Sequence, residues 1–402
     1  MLTSAGHLTY CTNIHSGENW GDHFKALQTC FPAIRKALSP SAPMGIGLRL
    51  SNEASLELAD PETLRLFREW LKQQDAYVFT MNGFPYGGFH HTRVKDQVHA
   101  PDWTTRERVE YTLRMFGILE QILPENMDGG ISTSPLSYRY WHSSMASLAA
   151  ARQKATRHMI EVVEHLAKIR LRTGRLLHLD VEPEPDGLLE TGPEFIDWFE
   201  NDLLPIGIPV IGASLGLSEE QAAEIIKDHL RLCYDVCHFA IGYEPHATVV
   251  AALQEKGLKI GKIQISAALK ASMGSDPSKR EALKEAFAKY NEPVYLHQVV
   301  AKKADGGLLR YRDLAEALDD YQHPLTREWR AHFHVPVFEK DFGLLQSTRD
   351  DIREVLEIQQ ELDLTRHLEV ETYTWEVLDP SLKLPLQESI IRELDWVKRQ
   401  LD

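Results

Sequence analysis

Short apolar or β-branched runs alternate with long amphipathic segments along the whole chain. Eight runs read as strands: residues 8–13 (LTYCTN), 46–51 (IGLRLS), 77–82 (YVFTMN), 130–134 (GISTS), 176–182 (LLHLDVE), 232–238 (LCYDVCH), 262–266 (KIQIS) and 368–374 (LEVETYT). Helix starts stand between them. Asp60 precedes Pro61, an N-cap before a proline at the first helical position. Thr191 with Glu194, Ser218 with Gln221 and Ser347 with Asp350 are spaced as capping boxes. The longest helical pattern covers residues 144–172, with Leu148, Met159, Val162, Val163, Leu166 and Ile169 near one face.

A strand signal followed by a helix signal, repeated eight times, predicts an α/β fold with parallel strands. A doubly wound sheet would carry a glycine-rich phosphate turn after its first strand, and none follows Asn13. The expectation is a (β/α)8 TIM barrel, a single domain spanning residues 1–402. The repeat is broken once. Some 100 residues separate Ser266 from Leu368, far more than one unit needs. This predicts an insertion over roughly 270–345, before the last strand, folded over the barrel mouth. Further strand-like runs stand at 208–213, 294–300 and 332–338.

Hydrophobic residues make up 43 % of the chain and charged ones 26 %, enough for a large core. The net charge of −15 argues against gripping nucleic acid or an anionic membrane surface. Cys11, Cys30, Cys233 and Cys237 include no CxxC pair and read as reduced thiols. The first ten residues lack a basic start and a long apolar run, and no stretch reaches the ~20 apolar residues of a membrane span. The expected location is cytoplasmic, with no membrane insertion and no nucleic-acid partner.

In a TIM barrel the chemistry sits at the C-terminal ends of the strands. Glu182 ends the fifth run, and Pro183 and Pro185 stop the strand there. Its bland reading is a solvated acidic loop made with Asp180, Glu184 and Asp186. Asp235 and His238 close the sixth run, and a carboxylate with an imidazole suits Zn, Mn or Co. As a strand-end hydrogen bond the same pair would mean nothing. Gln264 lies mid-strand among apolar neighbours and could offer its oxygen to a metal or hold a substrate hydroxyl. Glu369 and Glu371 share one strand parity, with Glu371 nearer the mouth. His332 and His334 form an H-x-H pair, with His334 nearer the mouth, and His297 is a further candidate. Softer candidates for substrate contact are Asn13 and His15, which share a parity with Cys11, and also Asn82 and Arg139. His90 and His91 follow the glycines after Asn82. Tyr138, Tyr140 and Trp141 flank Arg139 and suit either a ring-shaped ligand or plain packing.

Glu182, the Asp235-x-x-His238 pair and Glu371 together resemble the metal framework of the xylose-isomerase-like superfamily. That group includes sugar and sugar-phosphate isomerases and epimerases, and the endonuclease IV type of repair enzyme. HLTYCTNIHSGENW, NGFPYG, LDVEPEPDG, CYDVCHFA and VETYTWEVL look like the EboE family, described as metabolite traffic proteins linked to moving secondary-metabolite precursors. The resemblance implies a divalent metal (Zn, Mn or Co) held by Glu182, Asp235 and Glu371, with His238 a further ligand or a substrate contact and Glu182 and Glu371 as catalytic carboxylates. Epimerases of this kind place a histidine on strand seven, where this chain has Gln264; His334 would replace it from the insertion.

The leading expectation is an isomerase or epimerase acting on a small polyhydroxylated or carbonyl-bearing metabolite. The alternative is a barrel that binds or hands over a metabolite without chemistry. A repair hydrolase is disfavoured by the charge. A two-carboxylate glycosidase would leave Asp235, His238 and His334 idle. A homo-oligomer fits this class, but no apolar stripe marks an interface.

Overall fold

The computed structural model describes residues 1–88, 94–373, 375 and 385–402. Eight strands follow in chain order: β1 (Gly6–Tyr10), β2 (Met44–Arg49), β3 (Ala76–Asn82), β4 (Gly129–Thr133), β5 (Leu177–Val181), β6 (Leu230–Asp235), β7 (Ile260–Ile265) and β8 (His367–Val370). From β2 to β8 each strand pairs in parallel with the next, and β8 pairs in parallel with β1. A parallel bridge between Cys11 and Gly47 closes the ring. The principal crossover helices are α1 (Trp20–Leu38), α2 (Pro61–Gln73), α3 (Arg106–Ile122), α4 (Met145–Thr173), α5 (Glu219–His229), α6 (His246–Glu255), α7 (Arg349–Leu362) and α8 (Leu386–Leu401). The architecture is a (β/α)8 TIM barrel. Among the described residues no single helix is long and apolar enough to cross a membrane.

Helices cover the outer faces of the strands, so β2, β4, β5, β6, β7 and β8 are buried at every residue. That two-sided burial is why they read as near-continuous apolar runs. The inside of the barrel is nonetheless partly polar. Lys262 on β7 and Glu369 on β8 form a fully buried ion pair at 2.7 Å. The Lys262 ammonium also donates to the Met81 carbonyl at 3.1 Å and to the Ser132 hydroxyl at 3.2 Å. Burial alone would lower this ammonium's pKa; Glu369 beside it overrides that and holds it above the usual lysine range. Gly47 makes the space: a Cβ there would lie 1.9 Å from the Glu369 carboxylate.

Several expected boundaries move. The first strand stops at Tyr10, and Thr12–Ile14 form a single helical turn, so Asn13 and His15 do not share a strand face. The sixth ends at Asp235, whose carboxylate caps the short helix Val236–Ile241. The run 208–213 lies inside the helix Leu204–Leu215, which ends at a left-handed Gly216. An apolar run of that length has no period that separates strand from helix. Thr191 and Ser218 do cap their helices, but α7 is capped from Thr348 with no side-chain bond, so the Ser347–Asp350 box does not form. His90, His91 and Thr374 lie outside the described residues.

The long stretch between β7 and β8 builds a second, antiparallel sheet of six strands. Their order is Leu308–Tyr311, Val299–Lys303, Thr326–Ala331, Leu269–Ser272, Leu345–Ser347 and Asp341–Phe342. Of the run 294–300 only Val299 and Val300 belong to a strand. The run 332–338 is not a strand; it is the extended segment that leaves Thr326–Ala331 and returns toward the barrel, where the Val335 amide bonds the Ala267 carbonyl at 3.0 Å. All four cysteines are buried and unbridged.

Two glycine substitutions should move stability in opposite directions. Gly47→Ala forces a methyl onto Glu369 and should cost about 1–3 kcal/mol. Gly117→Ala, in the middle of α3 with nothing within 4 Å, should gain about 0.5–1 kcal/mol. Urea unfolding of both variants checks the pair; equal midpoints would contradict the proposed crowding.

Candidate metal centre

At the C-terminal ends of the barrel strands, side chains from six chain segments meet around one cavity. Its lining includes Asn13, Asn82, Glu182, Glu184, His238, His332, His334 and Glu371. Glu182 follows β5 directly, Asp235 ends β6, and Glu371 follows β8. Their carboxylates approach so closely that one oxygen from each lies within 4.8 Å of the others, and all three residues are buried. The acidic loop is therefore not solvated: Glu184 and Asp186 are buried too, and Asp180 points down into the barrel beside His178.

Glu371 is held by three amides. Asn13 and Asn82 both donate to its Oε1, at 2.8 and 2.9 Å, and Gln264 donates to its Oε2. The Asn82 oxygen accepts from the Phe84 amide at 3.1 Å, which fixes that side chain's orientation. Gln264, the candidate ligand on the seventh strand, gives its amide nitrogen to Glu371 and its oxygen accepts from the Cys233 thiol. It braces the Glu371 carboxylate. Asp235 receives the Ser266 hydroxyl at 2.7 Å and the His238 amide at 3.2 Å on Oδ1, while its buried Oδ2 has no hydrogen-bond partner.

Three imidazoles stand beside the carboxylates. His238 Nδ1 donates to the Pro183 carbonyl at 3.0 Å, and His334 Nδ1 to the Glu371 carbonyl at 3.0 Å. His332 Nδ1 donates to the Gln298 side-chain oxygen at 2.8 Å; Gln298 Nε2 in turn bonds the Pro185 carbonyl, which settles the amide's orientation. Acceptors of this kind place a proton on each Nδ1 and turn each Nε2 toward the cavity. His238 and His332 bring these nitrogens to 3.2 Å from each other. Burial and the neighbouring rings push His332 well below the usual histidine range, and burial lowers His334 as well. A carbonyl or amide behind each ring is the usual support of a metal-binding histidine.

The carboxylates feel the opposite shift. Burial, then the charges of Glu371, Asp235 and Glu184, drive the Glu182 carboxyl well above its ordinary range. Burial, then Asp235 and Glu369, do the same to Glu371. Lys262 in the layer below is already paired with Glu369, so three buried acids this close call for a proton or a cation. The donors present fit a divalent ion of the Zn, Mn or Co type. Asp235 is shared by two candidate groups, one with Glu182 and Glu371, the other with His238 and His334. Its orphaned Oδ2 fits that role.

Other expected contacts are not brought to the cavity. Arg139 turns away to Glu194 at 2.9 Å and Glu190 at 3.7 Å. His297 binds the His332 carbonyl at 2.7 Å and Glu292 at 2.8 Å, so it positions the H-x-H segment. His15 is buried against the Tyr10 hydroxyl at 3.1 Å. Tyr138 and Trp141 pack with each other and with His99. His332 carries more weight than its place in the H-x-H motif suggested, because the fold sets it opposite His238. Lys262 was missed, although its parity with Gln264 in KIQIS placed both on one face.

The sequence matches no family profile and no curated protein. Several solved structures share the chain's general course. A xylose isomerase-like TIM barrel protein from Mycobacterium smegmatis in complex with magnesium shares 10 % identity, covers 100 % of this chain and 98 % of its own, and gives a TM-score of 0.49. The IolI protein with a binding zinc atom shares 12 %, with coverage of 98 % and 97 % and a TM-score of 0.47. The probable 3-DHS dehydratase AsbF from Bacillus anthracis shares 11 %, with 97 % and 98 % and a TM-score of 0.46. The barrel assignment itself rests on the strand order and ring closure described above.

These acids make cation binding pH-dependent. Raised carboxyl pKa values favour the protonated form of the folded protein. Without metal, their contribution to stability is complete below the ordinary glutamate range and is lost as pH rises through the folded values. A cation takes the ionised form, so the rise in melting temperature on adding Mn or Zn should grow as pH rises above the ordinary glutamate range and through the raised values. In Glu182→Gln the metal-free protein should lose less stability over that interval than wild type. Parallel melting curves for the two would remove Glu182 from the account.

Proposed function

We propose that the protein is a divalent-metal-dependent isomerase or epimerase acting on a small carbonyl-bearing or polyhydroxylated metabolite. The observation that carries the proposal is the convergence of Glu182, Asp235 and Glu371 in a buried cavity that also takes His238 and His334. Asp235, Glu371, His238 and His334 would hold the ion. When bound, it would polarise a carbonyl and stabilise the negative charge that develops on its oxygen.

The residues divide the remaining work by how tightly they are held. Glu371 is tied by three amide donors, which suits a ligand. Among the described residues, the polar neighbours of Glu182 are weak: the Cys233 thiol at 3.8 Å and His238 Nδ1 at 3.7 Å. With a raised pKa and few bonds to break, it suits proton transfer at the carbon beside the carbonyl. Once ionised, it takes the proton from that carbon and can hand it back. The cavity wall of Phe84, Pro85, Val94, Val98, Leu296 and Tyr373 limits the access of water to the reacting carbon.

A second reading keeps the site and drops the reaction: a metabolite-binding or traffic protein, as the EboE likeness implies. The commitment of Gln264 to Cys233 and Glu371 supports it, because strand seven then offers nothing to a metal or substrate. A cytoplasmic location belongs with either reading.

Solvent isotope exchange separates the two. Incubated with Mn and a panel of ketoses and aldoses in D2O, the wild type should place deuterium at the carbon next to the carbonyl. Glu182→Gln should lower that rate by about 10²–10⁴-fold while still binding metal. Ligand binding without exchange in the wild type would favour the carrier.

A further inference from the structure

At the opposite end of the barrel, where strands begin, a second cluster of metal-ligating groups stands apart from the cavity. Asp128 immediately precedes β4, His178 is the second residue of β5, and His367 opens β8. One ligand atom from each lies within 4.8 Å of the other two. His367 Nε2 is 3.2 Å from Asp128 Oδ1, and His178 Nε2 is 3.5 Å from Asp128 Oδ2. The two rings face each other with centroids 5.2 Å apart.

The tautomer of His178 is fixed from behind. Its Nδ1 bonds Asp180 at 2.6 Å, so that nitrogen donates and Nε2 is left facing Asp128. That Nε2 is fully buried and has no hydrogen-bond partner. A proton there would sit in a contact of 3.5 Å, too long for a good bond. A metal explains the spacing better. Bonds of about 2.0–2.1 Å in a tetrahedral site put neighbouring ligand atoms roughly 3.3 Å apart. A carboxylate behind a histidine whose other nitrogen faces an ion is the recurrent support of zinc sites.

The barrel makes room for this arrangement. A Cβ on Gly130 would lie 2.4 Å from the His178 ring, and one on Gly261 would lie 1.9 Å from the Asp180 carboxylate. Asp128 is 28 % exposed, which leaves an entry path and a side open to water. Arg231 also touches Asp128 Oδ2, at 3.3 Å. Against burial and Arg231, Asp180 and Asp128 raise the His178 pKa, so without a metal Arg231 and a protonated His178 offset the two carboxylates, and an ion entering the site would displace that proton.

We propose that Asp128, His178 and His367 form a second divalent transition-metal site, structural in role, that pins the starts of β4, β5 and β8 together. Two imidazole nitrogens and one carboxylate oxygen suit zinc, with cobalt as a spectroscopic substitute. The site is independent of the cavity at the mouth, and a bottom-face ion is expected to serve stability, since the chemistry of such barrels sits at the other end.

The test counts metal in the full-length protein dialysed against zinc chloride. Wild type should hold about two equivalents, and Asp128→Asn and Glu371→Gln about one each. Asp128 is partly exposed, so its substitution should leave the fold intact, as circular dichroism will show. Cobalt loaded into Glu371→Gln should give the intense visible absorption of a tetrahedral ion, absent when Asp128→Asn is added. If Asp128→Asn binds as much zinc as wild type, or if Glu371→Gln binds none, the lower site does not exist and the cluster is an Asp–His–Asp ion pair. An unchanged count in Glu371→Gln alone would instead count against the upper centre.

Discussion

Three carboxylates held within a few ångströms of one another and away from water are the constraint around which this barrel is built. Left alone, such a group repels itself and is denied the hydration that would make its charge tolerable. Much of the surrounding structure answers that cost. Asn13, Asn82 and Gln264 aim amide hydrogens at Glu371. Ser266 and the start of the helix Val236–Ile241 do the same for Asp235. One layer down, Lys262 is fixed by Glu369, the Met81 carbonyl and the Ser132 hydroxyl, and supplies a permanent positive charge below the acids.

The insertion is part of the same solution. Its sheet runs antiparallel through Thr326–Ala331, and the chain leaving that strand carries His332 and His334 to the mouth. The segment is anchored on three sides. His297 holds the His332 carbonyl, the Ala267 carbonyl takes the Val335 amide, and Glu393 of α8 accepts from both the Val337 amide and the Thr372 hydroxyl. Burial pushes Glu393 up to about 7, so even this clamp is an acid held out of water. The second sheet thus delivers imidazoles to the side of the carboxylates that no barrel strand reaches.

The barrel was legible because parallel strands covered on both faces must be apolar almost throughout, and chains of such strands must be joined by amphipathic helices. All eight strands lie where the runs placed them, within a few residues. The acids were legible for a related reason: a carboxylate at the end of an apolar run, stopped by proline or by a helix cap, has few places to go except the mouth. The parity of Glu369 and Glu371 placed both inside. Periodicity gave no help with the segments 208–213 and 332–338, where an apolar run fits a helix, a strand or an extended connection equally well.

The sequence by itself determined the repeat, the ends of the strands and the kinds of donor available there. Those follow from local rules: what a buried strand must contain, what proline stops, what a helix start requires. The partners were decided only by the tertiary structure. Whether Gln264 faces a metal or Cys233, whether Arg139 and His297 enter the cavity or brace its walls, and that His332 meets His238 across 94 residues of chain depend on how distant segments come together. So does the pairing of Asp128 with His367, 239 residues apart. Direction and distance between residues far apart in the chain are properties of the closed ring and the second sheet, and no local pattern encodes them.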